Sequence, residues 1–484
     1  MEAMRKKAIA VFMAFGTKGD VYPIAAIAAA FASDQNHYQV AFLTHSAHEN
    51  LKGHLGAKGI AYFPISSPPI MHFHQDDDTG GSMDMSFSLQ KKEITRKHRQ
   101  ECVSVVERIY GEDPVMDGDL IIINFFALEG WSLAELFHVR CVVAAPYVVP
   151  YSAPTSFERQ FRNELPLLYK YLREAPTGKI GWEDVIHWMW PLFTEDWGNW
   201  RSLDLKLSFM PFTDPVTDLP TWHDRPSSPL LLYGFSQEVV ECPGYWPSAV
   251  RVCGFWSLPA EWQFSCGRCA EISSLISWRQ WNAGENFMGY FQSPQTFLQV
   301  LGNVLNISSH RFILFSAGYG PLDAAINILG QTPSSASEQM QSSDIQISLF
   351  DSRLFCFSGE MPYNLLFPRC AAVIHHGGSG TTAAALRAGV PQIICPFILD
   401  QFYWAERMSW LGVASEPLSS TCVLPDKDDE SCILKAANAL VQAINNALSP
   451  EVKLRAREIA NRISTEDGVS TALRMIKEEI IGTN

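Results

Sequence analysis

The sequence predicts an α/β protein built from two doubly wound halves, each a mostly parallel sheet with helices on both faces. Three observations carry that expectation. The chain has 484 residues, more than one hydrophobic core usually serves. Residues 8–15, AIAVFMAF, open an early series of apolar runs alternating with helical stretches, and a second such series starts at residue 310. Strands that alternate with helices pair in parallel, because each crossover needs a helix to return the chain to the same edge of the sheet. With 47% hydrophobic residues, the chain can fill both cores.

In the first series, residues 8–15 end in Gly16-Thr17-Lys18-Gly19-Asp20, the order of a strand, a tight turn and a helix. Residues 24–31, directly after Pro23, read as a short buried helix. Residues 39–44, 120–124 and 140–145 repeat the strand pattern. Residues 182–281 hold eleven of the fourteen tryptophans among many prolines, which suits either aromatic packing of accessory helices or a wall for a flat apolar substrate. The segments 72–88, with Asp76, Asp77 and Asp78, and 331–344 read as polar loops. The second series has strand candidates at 310–316, 353–357, 371–375 and 392–395, and residues 450–481 read as two amphipathic helices around Asp467-Gly468. Ligands of such sheets bind at the carboxyl ends of strands, which here implies a cleft between the halves.

Charge and cysteine usage narrow the function classes. A net charge of -14 leaves no basic footprint for nucleic acid. Eleven scattered cysteines, behind a start without a signal-peptide pattern, fit reduced thiols in the cytoplasm. Cys266 and Cys269 form a CxxC, with Cys242 and Cys253 upstream, but no second CxxC completes a zinc pattern, so no metal is expected. No apolar run reaches the roughly 18 residues of a spanning helix, so any membrane contact is expected to be peripheral.

The densest chemistry lies in residues 375–401, HHGGSGTTAAALRAGVPQIICPFILDQ. After a strand ending near His375, the turn Gly377-Gly378-Ser379-Gly380 opens a helix at Thr381-Thr382 that closes at Ala388-Gly389 before Pro391. Glycines let an anion approach the backbone, and the first helical N–H groups attract negative charge, so a phosphate is the natural guest. One histidine of the pair is expected to be buried structurally, for which His375 is the better candidate, leaving His376 to donate to a phosphate oxygen. Asp400 and Gln401 offer acceptors and donors suited to vicinal hydroxyls, while Asp400 could equally cap the following helix.

This stretch resembles the nucleotide-sugar signature of the inverting UDP-glycosyltransferases, specifically the plant-type sterol 3-beta-glucosyltransferase branch. Residues 16–23, 242–256 and 358–369 are similar to that branch as well. The resemblance implies the GT-B fold, two Rossmann-like domains facing across a cleft. It divides the chain into an acceptor-binding domain at 1–260, a linker at 261–285, a nucleotide-sugar domain at 286–455 and a helical segment at 456–484 that can cross back to the first domain. It further implies that His376, Gly378, Ser379, Gly380 and Thr381 meet the diphosphate and that Asp400 and Gln401 hold the sugar. UDP-sugar is then a co-substrate, no resident cofactor is needed, and the reaction belongs to lipid metabolism.

Transfer to a hydroxyl needs a base beside the acceptor oxygen. Asp20, in a loop formed with Gly16, Thr17 and Gly19, is the candidate, and the resemblance supports an aspartate there. The alternative is a helix cap, whose hydrogen bonds would lower its pKa. One stretch departs from the family: residues 282–293, NAGENFMGYFQS, lack a long apolar strand and the expected Gly-Ser turn. That departure keeps open a relative that binds or converts an apolar molecule without sugar transfer.

Overall fold

The computed structural model describes the chain except for residues 1–4, 35–36, 68–84, 112–114, 148–155, 194–196, 211, 215, 218, 222–224, 259–261, 263–280, 285–292, 317–318, 331–345, 359–361, 426 and 482–484; at 85–90, 281–284, 346 and 481 only the backbone is described. Asp76 to Asp78, Cys266, Cys269 and the polar segment at 331–344 therefore lie outside the described residues. The chain divides into two compact units, one of Met1–Phe235, Cys242–Leu258 and Asp467–Asn484, the other of Ser236–Glu241 and Pro259–Glu466.

The first unit carries a seven-stranded sheet of β1 (Ala8–Met13), β2 (Tyr38–His45), β3 (Ala61–Ile65), β4 (Leu120–Ile123), β5 (Arg140–Ala145), β6 (Leu230–Tyr233) and β7 (Val250–Val252). Their order is 3-2-1-4-5-6-7 and every pairing is parallel. β1 and β4 are buried along their whole length, which is why they read as unbroken apolar runs. Sequence order reverses between these two strands, so their carboxyl ends form the switch point at which such sheets bind ligands. The helix after β1 starts at Lys18 and runs to Asp34, earlier than expected, with Pro23 inside it. Proline there forfeits the bond to Gly19, a cost the helix offsets by burying Val21, Ile24, Ala25, Ile27, Ala28 and Phe31.

β6 and β7 come from the Trp-rich stretch, which therefore supplies an edge of the first sheet as well as helices. Trp182, Trp188, Trp190, Trp197, Trp200 and Trp256 are all buried. Trp182 packs on Phe157 and Phe161, and Trp188 meets Trp131 edge-on. Aromatic packing thus accounts for these tryptophans. The helix Gly468–Ile481 completes the unit by packing on the helix Lys18–Asp34. Its last carbonyls, of Glu479 and Ile480, accept from Arg140 at 2.6 and 3.0 Å.

The second unit holds β8 (Trp281–Gly284), β9 (Phe312–Phe315), β10 (Gln346–Leu349), β11 (Leu354–Phe357), β12 (Cys370–His375) and β13 (Gln392–Ile394), in the order 10-11-9-8-12-13. Only β10 is antiparallel, at the edge beside β11. The centre of this sheet is occupied: β8 pairs in parallel with β9 on one side and β12 on the other. The strand therefore lies at 281–284, inside the stretch expected as a linker, while residues 287–291 fall outside the described residues. Trp281 and three polar or small residues form it, because backbone pairing on both sides, and not an apolar run, holds a central strand of this length. The helices Pro294–Ile307 and Glu430–Ala447 pack together over the sheet, burying Leu298, Val300, Val304, Leu440 and Ile444.

Candidate active-site residues in the two units

In the first unit, Gly16, Thr17 and Asp20 come together after β1. The Asp20 Oδ2 accepts from the Thr17 N–H at 2.6 Å and from the Thr17 hydroxyl at 2.8 Å. Asp20 thus sits in the first turn of its helix and reaches back, the second half of a capping box with Thr17 as the cap. Gly16 has φ +104, and a Cβ on it would meet the Asp20 carboxylate at 2.6 Å, so glycine is required on both counts. Burial raises the Asp20 pKa to about 6 against the lowering effect of both Thr17 bonds. The cap geometry exists, but desolvation outweighs it, and the carboxylate is a stronger base than an ordinary aspartate. Gly19 is exposed and its nearest neighbour is Thr17.

Sequence reasoning missed what surrounds this loop. His48 Nε2 donates to the Gly16 carbonyl at 3.0 Å. Phe125 and Phe126 follow β4, and both pack edge-on against Tyr147 beyond β5, with Trp190 against Phe125. These rings form an apolar aromatic group past the carboxyl ends of β4 and β5. A sequence signal existed in Phe125-Phe126 directly after an apolar strand. The location of Tyr147 and Trp190 depends on the sheet order.

In the second unit, the motif after β12 folds as its composition dictates. Gly377 N–H donates to His375 Nδ1 at 3.1 Å, so His375 carries its proton on Nε2, which donates to Gln392 Oε1 at 2.9 Å. His375 is fully buried and held neutral, its pKa lowered to about 3 by burial. It ties the glycine turn to β13. His376 turns the other way: a Cβ on Gly378 would meet its Nε2 at 2.5 Å, so the ring lies over the bare Gly378 backbone. Its Nδ1 is buried with no hydrogen-bond partner, and burial lowers its pKa to about 4. A neutral ring with an unsatisfied buried nitrogen is an arrangement that a ligand can complete.

Ser379, Gly380 and Thr381 form the first turn of the helix Ser379–Ala388, whose N-cap, Gly378, supplies no side-chain hydrogen bond. Gly377, with φ +92, packs on the Gln401 backbone, so the turn and the Asp400-Gln401 loop are neighbours. Gln401 Oε1 accepts from the N–H groups of Phe397 and Ile398 at 2.9 and 3.1 Å, shaping that loop. Asp400 does not use its side chain to cap the helix Gln401–Trp410; Oδ2 accepts from the Trp404 indole at 3.0 Å instead. Among the described residues no group of three or more His, Cys, Asp or Glu side chains could hold a metal ion.

The chain matches a sterol 3-beta-glucosyltransferase of Arabidopsis thaliana at 26% identity over 474 residues, covering 96% of this chain and 64% of the relative. The erythromycin biosynthesis protein CIII-like C-terminal domain family matches residues 354–466, the stretch that holds the glycine turn. Over nearly its whole length the chain is thus similar to a glycosyltransferase. Its fold is the GT-B fold: the calicheamicin glycosyltransferase CalG4 matches with a TM-score of 0.58 at 14% identity over 99% of both chains. Phytolacca americana UGT2, in complex with UDP-2fluoro-glucose and pterostilbene, matches with a TM-score of 0.56 at 14% identity, covering 99% of this chain and 100% of that one. The switch points of both sheets carry the motif residues, Asp20 after β1 and His376 after β12.

Proposed function

We propose that the protein transfers glucose from UDP-glucose, with inversion, to the hydroxyl of a sterol or a similar lipophilic acceptor. The observation that carries this reading is His376, whose buried Nδ1 lacks a partner beside a helix start with no side-chain cap. A diphosphate satisfies both, since it accepts from an imidazole N–H and from backbone N–H groups. The bound diphosphate would also counter the burial that lowers the His376 pKa, so the interaction grows as charge develops on the leaving group.

Acceptor chemistry is assigned to the first unit. Asp20 removes the hydroxyl proton while the oxygen attacks the anomeric carbon, the bond to UDP breaks, and UDP leaves with both electrons. The aromatic group of Phe125, Phe126 and Tyr147 suits a flat apolar acceptor. The choice of a sterol rests on the Arabidopsis relative, named a sterol 3-beta-glucosyltransferase, of which the chain spans 64%. The choice of UDP-glucose rests on that name and on the UDP-2fluoro-glucose complex of the Phytolacca enzyme.

Asp400 and Gln401 are assigned to the sugar hydroxyls, with the Gln401 oxygen already committed to its own loop. The sugar nucleotide enters as a co-substrate, and the step draws on no resident cofactor. Action in the cytoplasm, with peripheral contact to a membrane that stores the acceptor, is part of this reading; among the described residues no helix is long and apolar enough to cross a membrane. The occupied centre of the second sheet removes one ground for a relative without sugar transfer, the missing strand; the turn that would follow it lies outside the described residues.

The decisive experiment titrates UDP and UDP-glucose by calorimetry, beside His376→Ala. Absence of heat at millimolar nucleotide would end the transferase reading. Where binding is found, incubation with UDP-glucose and a panel of 3β-hydroxysterols, with mass detection of a hexose adduct, tests the acceptor.

A further inference from the structure

Asn124, the residue after β4, makes four hydrogen bonds with one fully buried carboxamide. Its Oδ1 accepts from the N–H groups of Phe15 and Phe126, both at 3.2 Å, and its Nδ2 donates to the carbonyls of Phe15 at 2.7 Å and Asp20 at 3.2 Å. Both acceptor directions and both donors of the amide are therefore used. Phe15 precedes the turn and Asp20 ends it, so one side chain clips both ends of the loop that carries the candidate base. The sheet order explains how a residue 104 positions away does this. β1 and β4 are neighbours with Met13 paired to Ile123, which brings the residues after each strand side by side at the switch point.

We propose that Asn124 is a positioning residue for the transfer reaction, holding the Gly16 to Asp20 loop in the geometry in which Asp20 meets the acceptor hydroxyl. The proposal rests on the reading of Asp20 as the base. Only an amide serves at this position. An ionised aspartate of the same shape would keep the two acceptor bonds but turn an oxygen toward two carbonyls. An apolar residue would leave two N–H and two C=O groups buried without this partner.

The test is Asn124→Asp, read as a pH profile. At low pH the new carboxyl is protonated and can still donate to the Phe15 carbonyl. As pH rises it ionises, loses that donor and places a negative charge beside the Asp20 backbone. The other titratable groups around the loop are Asp20 and Lys18 on the helix, His48 beside Gly16, and His45 and His98 behind the Phe15 ring. All of them are retained in the variant, so the difference between the two profiles isolates position 124.

In the wild type, the rate of glucose transfer from UDP-glucose to a 3β-hydroxysterol is expected to rise through about pH 6 and level off. In Asn124→Asp it should pass through a maximum and fall, reaching on the order of 100-fold below wild type at pH 8, as for a misplaced catalytic group. UDP affinity should not change. A variant profile of wild-type shape, at whatever height, overturns the proposal. If Asn124→Asp does not fold, Asn124→Ser, whose hydroxyl can make only part of the set, should lower kcat with an unchanged KM for UDP-glucose; wild-type kcat there overturns it equally. Asp20→Asn separates the two failures. Full activity in Asp20→Asn removes the base reading, whereas loss of activity there with a wild-type profile in Asn124→Asp removes the positioning role alone.

Discussion

Asp20 is held against its own stability. The native environment favours its protonated form, because burial raises the pKa to about 6 from an unfolded value of 3.8. The sign follows: below 3.8 both states are protonated and there is no penalty. The penalty grows between 3.8 and 6, where the unfolded carboxyl ionises and the folded one does not, and it is complete above 6, where the folded state bears a buried charge. Asp20→Asn keeps an oxygen for the two Thr17 bonds and removes the charge. It should raise the melting temperature at pH 7.5 by about 2–4 °C for each kcal/mol relieved, and the gain should vanish when both proteins are melted near pH 3.5. The same substitution should abolish transfer. A variant that is neither more stable nor less active would show that Asp20 is an ordinary first-turn carboxylate. Asp20 and His376 were legible in the sequence because each stands beside glycines in a motif a few residues long. Asn124 and His48 were not, because what they do depends on strand neighbours that the sequence separates by 109 and 32 positions.

At the scale of the element, the strand, turn and helix from β12 to Ala388 place two adjacent histidines in opposite roles. His375 faces the sheet and is spent on Gln392 and the Gly377 N–H, while His376 lies over Gly378. Gly378 has ordinary backbone angles, φ −60 and ψ 140, so alanine is conformationally acceptable there. What its Cβ would displace is the His376 ring. Gly378→Ala is therefore expected to leave the melting temperature close to wild type while weakening UDP binding roughly tenfold, the loss of a hydrogen bond to a charged group. The double variant with His376→Ala should bind about as weakly as either single one, since both remove the same contact. Additive losses in calorimetry would show that the two act separately. The helix and both flanking strands were readable from the apolar runs and from Gly389 as a helix stop. The side-chain duties of Asp400 and Gln401 were not, because Asp400 takes a Trp404 partner and Gln401 folds back on its own loop, choices made by packing.

For the whole molecule, the two alternating series foretold two parallel sheets, but five strands escaped notice: β6 is a buried apolar run absorbed into the Trp-rich stretch, β10 is the antiparallel edge strand, and the other three have physical reasons of their own. β3 is half-exposed and contains Pro64, β7 has three residues at an edge, and β8 is held by pairing on both sides without an apolar run. The last helix, Gly468–Ile481, belongs to the first unit even though the chain before it, through Glu466, belongs to the second. Gly468 approaches the Gly254 carbonyl so closely that an added Cβ would stand 2.3 Å from the oxygen, and Ala472 and Ile476 are fully buried. Lys477 pairs with Asp34 on the helix it covers. Ile476→Ala should thus cost about 2–5 kcal/mol of stability, and its effect should fall on the first unit. In scanning calorimetry the transition of that unit is expected to move down by about 4–20 °C, given 2–4 °C per kcal/mol for a unit of this size. UDP binding at 20 °C, which the proposed function assigns to the second unit, should stay at the wild-type value. If UDP affinity fell together with a single transition that shifted as a whole, the two units would unfold as one cooperative body, and the terminal helix would be stabilising the donor site as well.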